Sequence, residues 1–287
     1  GMSTGLYAKV KGISYNQALR ELLERECFSQ DKSHITISPI NELADIKTRD
    51  KVYRRFLSML KLEKTHRNIL HAQGFLNTTI ENQMYRTVPK KEIKRRLVAK
   101  NLSNMYDLAG IPGMYQREDW KWTFSKMNGI YVPCFDEQNR IQALSIHLDK
   151  PFNETTDLWF SSKDKINGTG AKNCISKANI YDNSDTLVLT DSLLLGNLIR
   201  DIIEVPVISF LGISNSYQIL SAIEETNIKR IIFTYRLPES KNINYIIHRV
   251  FKDLIPLGYD IETKVVKDYT DILDENFLST YRLQKVA

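Results

Sequence analysis

Hydrophobic positions change their rhythm twice along this chain. In the first third they recur every three to four residues. "ISYNQALRELLERE" places Ile13, Ala18, Leu19, Leu22 and Leu23 on one side, with Ser14 at the N-cap position. "DKVYRRFLSMLKL" repeats the pattern with Val52, Phe56, Leu57 and Leu60, and short helices are expected in "HRNILHAQGF" and "TIENQMYRTVP", separated by Gly74 and closed by Pro89. A further helix is expected in "VPKKEIKRRLVAKNL", with Pro89 near its first turn. Beyond the Gly/Pro turn "AGIPGMY" the pattern becomes strand-like. Tyr131 to Phe135 and Ile141 to Leu148 predict a β-hairpin closed by "DEQN", followed by an aromatic strand and a loop holding Gly168 and Gly170 among Lys163, Lys165 and Lys172.

From Asp185 the rhythm changes again. Short apolar runs, "TLVLT", "VPVISFLG", "RIIFTY" and "YDIETKVV", alternate with helical stretches of ten or more residues. Such alternation predicts parallel strands joined by right-handed crossovers, with ligands bound beyond their carboxyl ends. The fold class is therefore α/β within an α+β whole. Three segments are expected: a helical region over 1–108, a small mixed α/β subdomain over 109–181, and an open parallel sheet over 182–287.

The strand ends define the candidate chemistry. Thr190, Asp191 and Ser192 follow the first strand, and Gly212 and Ser214 the second. Arg236, Pro238 and Glu239 follow the third, and Lys267, Asp268 and Asp271 the fourth. This order resembles a Toprim domain, the metal-dependent nucleotidyl-transfer fold of bacterial primases and topoisomerases. The hairpin segment "GIYVPCFDEQNRIQALSIHLDK" and "DLWFSSK" resemble the primase region that precedes Toprim. "LAGIPGMY" and "HAQGFLNTTIENQMYRTVP" are similar to a primase-related family of plasmids, phages and conjugative elements. "LYAKVKGISYNQALRELL" resembles the helix that closes a primase-type zinc ribbon, and zinc ligands are expected before it rather than within this chain.

That resemblance implies an acidic residue after the first strand, an Asp-x-Asp pair after the third and a further acidic motif after the fourth. Asp191, Asp268 and Asp271 match as metal ligands, and with Glu239 they are the residual catalytic positions of an active Mg²⁺ enzyme. Arg236 and Pro238 stand where the paired carboxylates belong. A guanidinium cannot ligate Mg²⁺, which needs hard oxygen donors. Two readings of Arg236 follow: its planar fork holds a phosphate, or it pairs with Asp191 or Asp268 and closes an empty site. The expectation is a primase-like, nucleic-acid-binding protein with a degenerate Toprim site. The alternatives are an active primase, or a scaffold docking a helicase or relaxase.

Charge adds a second address. The 287 residues carry a net charge of +6, from 40 basic and 34 acidic side chains. Arg86, Lys90, Lys91, Lys94, Arg95, Arg96 and Lys100 crowd one stretch with Glu92 as the lone acid. Lys90, Lys94 and Arg95 are candidate contacts to the backbone of single-stranded DNA or RNA, against the plainer reading of a solvated helix face. The resemblance adds His147, which ends the hairpin where relatives carry a nucleic-acid-facing arginine, and Lys163 in the adjoining strand end; Lys165 and Lys172 share the latter's loop. Trp120, Trp122 and Tyr115 are either base-stacking groups or the core of a small domain. Cys27, Cys134 and Cys174 are widely spaced and odd in number, which opposes a disulfide framework or an internal zinc site. No apolar run reaches membrane-spanning length, so no membrane partner and a cytoplasmic location are expected.

Overall fold

The computed structural model describes residues 11, 42–152, 155–171, 174–178, 184–203, 205–211, 216–224, 226–236, 251–252 and 254–274. Contacts divide the chain into compact units over 1–38 and 39–287, and the second is described below. The helix expected at 13–23 and most of the helical stretch expected between "RIIFTY" and "YDIETKVV" lie outside the described residues, as do Lys172, Gly212, Ser214, Pro238 and Glu239.

Helix α1 (Ile46–Ser58) starts where Asp45 accepts from the Lys47 and Thr48 amides, at 2.9 and 3.0 Å, and it buries Val52, Tyr53, Phe56 and Leu57. Helices α2 (Lys64–Ala72) and α3 (Asn77–Asn82) follow. Here the chain departs from the helical expectation. After Asn82 the backbone turns through a left-handed Met84 (φ 54°) into a two-residue strand, β1 (Arg86–Thr87). Helix α4 (Glu92–Ser103) begins three residues after Pro89, so that proline sits in the approach rather than the first turn.

Strands β2 (Met114–Gln116) and β3 (Trp122–Phe124) form a small antiparallel ribbon. Next come β4 (Gly129–Phe135), β5 (Ile141–Phe152) and β6 (Thr155–Trp159), giving an antiparallel sheet in the order β1-β4-β5-β6. The predicted hairpin is present, with β5 running four residues past its expected end.

The remaining strands are β7 (Ile175–Ala178), β8 (Thr186–Thr190), β9 (Val207–Phe210), β10 (Arg230–Arg236) and β11 (Asp260–Val266). They assemble in the order β11-β10-β8-β9-β7, parallel except for β7 at the edge. Every residue of β8 and β9 is buried because both faces of the sheet are covered, which explains their unbroken apolar runs. Helix α5 (Leu193–Ile202) packs on one face; Gly196 allows the approach, since a Cβ there would lie 1.7 Å from the Ser209 hydroxyl. Helix α6 (Ser216–Glu224) supplies Ile219, Ala222 and Ile223 to a second apolar cluster with Phe210, Ile231 and Phe233.

One cluster draws on all three expected segments: Leu70 and Phe75, Ile130 and Val132, then Leu194, Val188 and Tyr269. Within it Asn197 on α5 donates to the buried Tyr85 hydroxyl at 2.9 Å. Burial holds that phenol's pKa far above the ordinary value, so it remains a neutral hydrogen-bonding group. No helix among the described residues is long and apolar enough to cross a membrane.

Candidate nucleic-acid interface

The carboxyl ends of the parallel strands converge as the alternation predicts. At the end of β8, Ser192 caps α5 by accepting from the Leu195 amide at 3.3 Å, and Asp191 is half-buried beside it. Strand β10 ends at Arg236, in register with Val266 of β11. The Arg236 guanidinium carbon lies 4.9 Å from the centroid of the Tyr269 ring, a cation–π contact with a buried phenol. His147 meets the same ring edge-on, its centroid 6.3 Å away. Its Nδ1 lies 3.1 Å from a carboxylate oxygen of Asp157, which orients the imidazole. Two residues expected at a phosphate site, Arg236 and His147, thus share one aromatic ring. Sequence reasoning missed Tyr269, although it sits inside the acidic motif already singled out.

The acids of that motif are spent locally. Asp268 and Asp271 form a capping box on the short 3₁₀ turn Tyr269–Leu273. Asp271 Oδ2 accepts from the amides of Lys267 (2.8 Å) and Asp268 (3.0 Å), while Asp268 Oδ1 accepts from Thr270 at 3.3 Å. The amide hydrogen bonds from Asp268 and Lys267 hold the Asp271 carboxyl below its usual pKa. A depressed carboxylate pKa contributes stability above the unfolded value and loses it as pH falls through the folded one. We therefore expect protection of the Lys267 and Asp268 amides against hydrogen exchange at neutral pH, fading only below the ordinary aspartate range. Asp271→Ala should abolish it at all pH values, and unchanged protection in that variant would refute the cap. Among the described residues no three His, Cys, Asp or Glu side chains group closely enough to hold a metal ion.

The basic stretch separates into distinct roles. Lys90, Lys91 and Lys100 are exposed and Lys94 is half-exposed. Arg95 differs: it is 7% exposed, and its Nη1 donates to the carbonyls of Pro89 and Lys90 at 3.2 and 2.8 Å. Its guanidinium braces the approach to α4 and is not presented to solvent. Arg96 pairs with Glu92, and Arg86 with Glu81 at 3.4 Å.

Lys90, Lys91 and Lys94 line a cavity of about 470 Å³ with His66 and Thr87. A second cavity of about 550 Å³ shares Lys90 and adds Lys126, Lys150 and the exposed Phe152. Between them His66 is held by the Thr87 hydroxyl and the Asp149 carboxylate, both at 2.8 Å, and Lys90 Nζ stands 3.9 Å from Asp149. The pairing of β4 with both β1 and β5 carries these distant lysines to two cavities that share Lys90, which no local pattern announces.

Lys163 and Lys165 are exposed on a loop pinned to the β2–β3 ribbon. The Ser162 hydroxyl donates to the Met114 carbonyl at 2.7 Å, and the Gln116 amide donates to the Ile166 carbonyl at 2.9 Å. Gly168 is required there, since a Cβ would come within 1.8 Å of the Ser162 carbonyl oxygen. Trp122 packs against the core, but Trp120 is 70% exposed, which overturns the core reading for that residue.

No protein-family model and no curated protein matches the sequence. Solved structures do resemble the fold. The Aquifex aeolicus primase, comprising zinc-binding and RNA polymerase domains, aligns with TM-score 0.57 and 12% identity over 98% of this chain and 69% of that one. The RNA polymerase domain of Mycobacterium tuberculosis primase DnaG, in complex with duplex DNA bearing a 6-nucleotide overhang, aligns with TM-score 0.58 and 8% identity, over 84% and 80% of the two chains. A DnaG primase catalytic domain bound to single-stranded DNA aligns with TM-score 0.52 and 12% identity, over 80% and 77%. The chain therefore has a primase-like α+β fold.

Proposed function

We propose that this chain is a primase-like protein of a mobile element that binds single-stranded DNA or RNA and serves replication without joining nucleotides itself. The observation that carries the reading is Arg236, a fixed cation stacked on Tyr269 where the Toprim resemblance calls for metal-holding acids. A guanidinium beside the strand ends gives a divalent ion no oxygen ligand, and Asp268 and Asp271 direct oxygen atoms to backbone amides. The described residues do not suit Mg²⁺. Arg236 instead offers phosphate a planar donor fork. The two cavities lined by Lys90, Lys94, Lys126 and Lys150 offer further charge for a backbone, and Lys163 and Lys165 offer more on the pinned loop. Two of the structural neighbours were solved with DNA bound, which supports a nucleic-acid partner here.

The same reading makes 1–108, 109–181 and 182–287 the functional segments, places the protein in the cytoplasm and gives it a helicase or another replication protein as companion. Primer synthesis on single-stranded templates, with and without Mg²⁺ or Mn²⁺, tests it beside a strand-binding assay. Salt-sensitive binding that survives EDTA, without primer formation, is the expected result. Metal-dependent primers lost on Asp268→Ala would establish an active enzyme instead, and absence of any strand binding at low salt would leave the scaffold.

A further inference from the structure

Trp120 occupies a conformation that its side chain disfavours. It has φ 59°, in the left-handed region where a bulky non-glycine residue crowds its own carbonyl, and its indole is 70% exposed. Neither burial nor backbone preference explains an indole at this point. The turn is nevertheless tightly held. Gln116 Nε2 donates to the Trp120 carbonyl at 3.1 Å, and the other end of the same amide accepts from Asn167, itself left-handed at φ 50°. On the opposite flank Arg117 lies 3.7 Å from Glu92 of α4. The tip of the β2–β3 ribbon is thus tied to α4 on one side and to the lysine loop on the other, with an aromatic blade projecting between them. Strain that the surroundings hold in place is characteristic of binding sites.

We propose that Trp120 is a stacking platform for an unpaired base of a bound single strand. This rests on the nucleic-acid reading above and adds a contact to it. Around the indole, Arg117 and Lys121 are matched by Glu118 and Asp119, and Asp119 lies 3.6 and 3.8 Å from the two cations. A neutral rim makes this a site for the face of a base rather than for phosphate. One projecting ring presents enough area for a nucleobase but lacks the packed, water-excluding surround of a protein hot spot.

The test is binding of a fluorescent single-stranded oligothymidylate, and of a blunt duplex, at several salt concentrations. Trp120→Ala should weaken single-strand binding about tenfold with an unchanged salt dependence, and leave the duplex unaffected. Trp120→Phe should keep most of the affinity. Trp120→Gly should bind as weakly as the alanine variant while its Tm rises by roughly 2–4 °C, because glycine accepts the left-handed backbone. Undiminished binding by Trp120→Ala, while lysine variants in the two cavities weaken it, would overturn this site alone, and a partner protein would become the occupant to seek. An equal loss on duplex, or a changed salt slope, would also overturn it. Absence of strand binding by the unaltered protein would remove both this site and the reading beneath it.

Discussion

Replacing Lys90, Lys91 and Lys94 together by alanine is expected to lower single-strand affinity on the order of 100-fold at 0.1 M salt. The three side chains reach the same cavity, and none is buried. Each phosphate they neutralise releases condensed counterions, and the slope of log K against log salt changes by about 0.7 per contact on a single strand. Losing three contacts should therefore flatten that slope by about 2. Affinity and slope must move together, because both report the same ions. The fold should be unaffected, since Lys90 and Lys91 precede α4 and Lys94 lies on its outer side. Arg95→Ala is the informative contrast: it removes a buried brace to two carbonyls, so it should lower Tm more than it alters the salt slope. A triple variant with wild-type slope would show that the strand runs elsewhere.

The open parallel sheet was legible because its central strands β8 and β9 are buried on both faces and read as unbroken apolar runs, with helical spacing between them. The hairpin was legible because "DEQN" interrupts two apolar runs. Strand β1 was not: two residues carry no period, and its pairing of Arg86 with Tyr131 exists only once β4 is in place. The inward turn of Arg95 did leave a signal. Arg95, Val98 and Leu102 stand at i, i+3 and i+7, the spacing of the buried face of α4, and charge composition outweighed that periodicity. Trp120 was readable as an aromatic that stacks or packs, but its left-handed backbone was not: it belongs to the three-residue β2–β3 turn, where the Trp120 amide donates to the Arg117 carbonyl at 2.9 Å and the Arg117 amide to the Lys121 carbonyl at 3.1 Å. Lys126 and Lys150 reach their shared cavity through strand register, a tertiary fact. The strand-end constellation was readable as a set of residues, but the Tyr269 ring joining Arg236 to His147 was not.

Phe56→Ala should be the most damaging single truncation in the described unit, at about 3–5 kcal/mol. Phe56 is wholly buried, and its ring meets Phe124 edge-on at 5.0 Å, Tyr131 at 5.3 Å and stacks on Phe160 at 5.8 Å. Such pairs add to the burial term, and the rings are fixed from several directions, so the cavity cannot close. Gly113 shows how tight the packing is: at φ 86°, a Cβ there would fall 2.2 Å from the Phe160 ring. The loss corresponds to a Tm lower by roughly 10 °C for a unit of this size, whereas Phe56→Leu, which keeps most of the volume, should cost under about 1.5 kcal/mol. Thermal melts followed by circular dichroism measure both. The cluster joins α1 to β4, the strand on which β1 and the basic approach to α4 are hung, so binding should vanish with the melt rather than before it. Below its melting range Phe56→Ala should bind single strands with wild-type affinity and salt slope. Weak binding by a fully folded variant would show instead that the aromatic cluster shapes the interface directly, and a Tm within about 2 °C of wild type would show that the cluster is loosely packed.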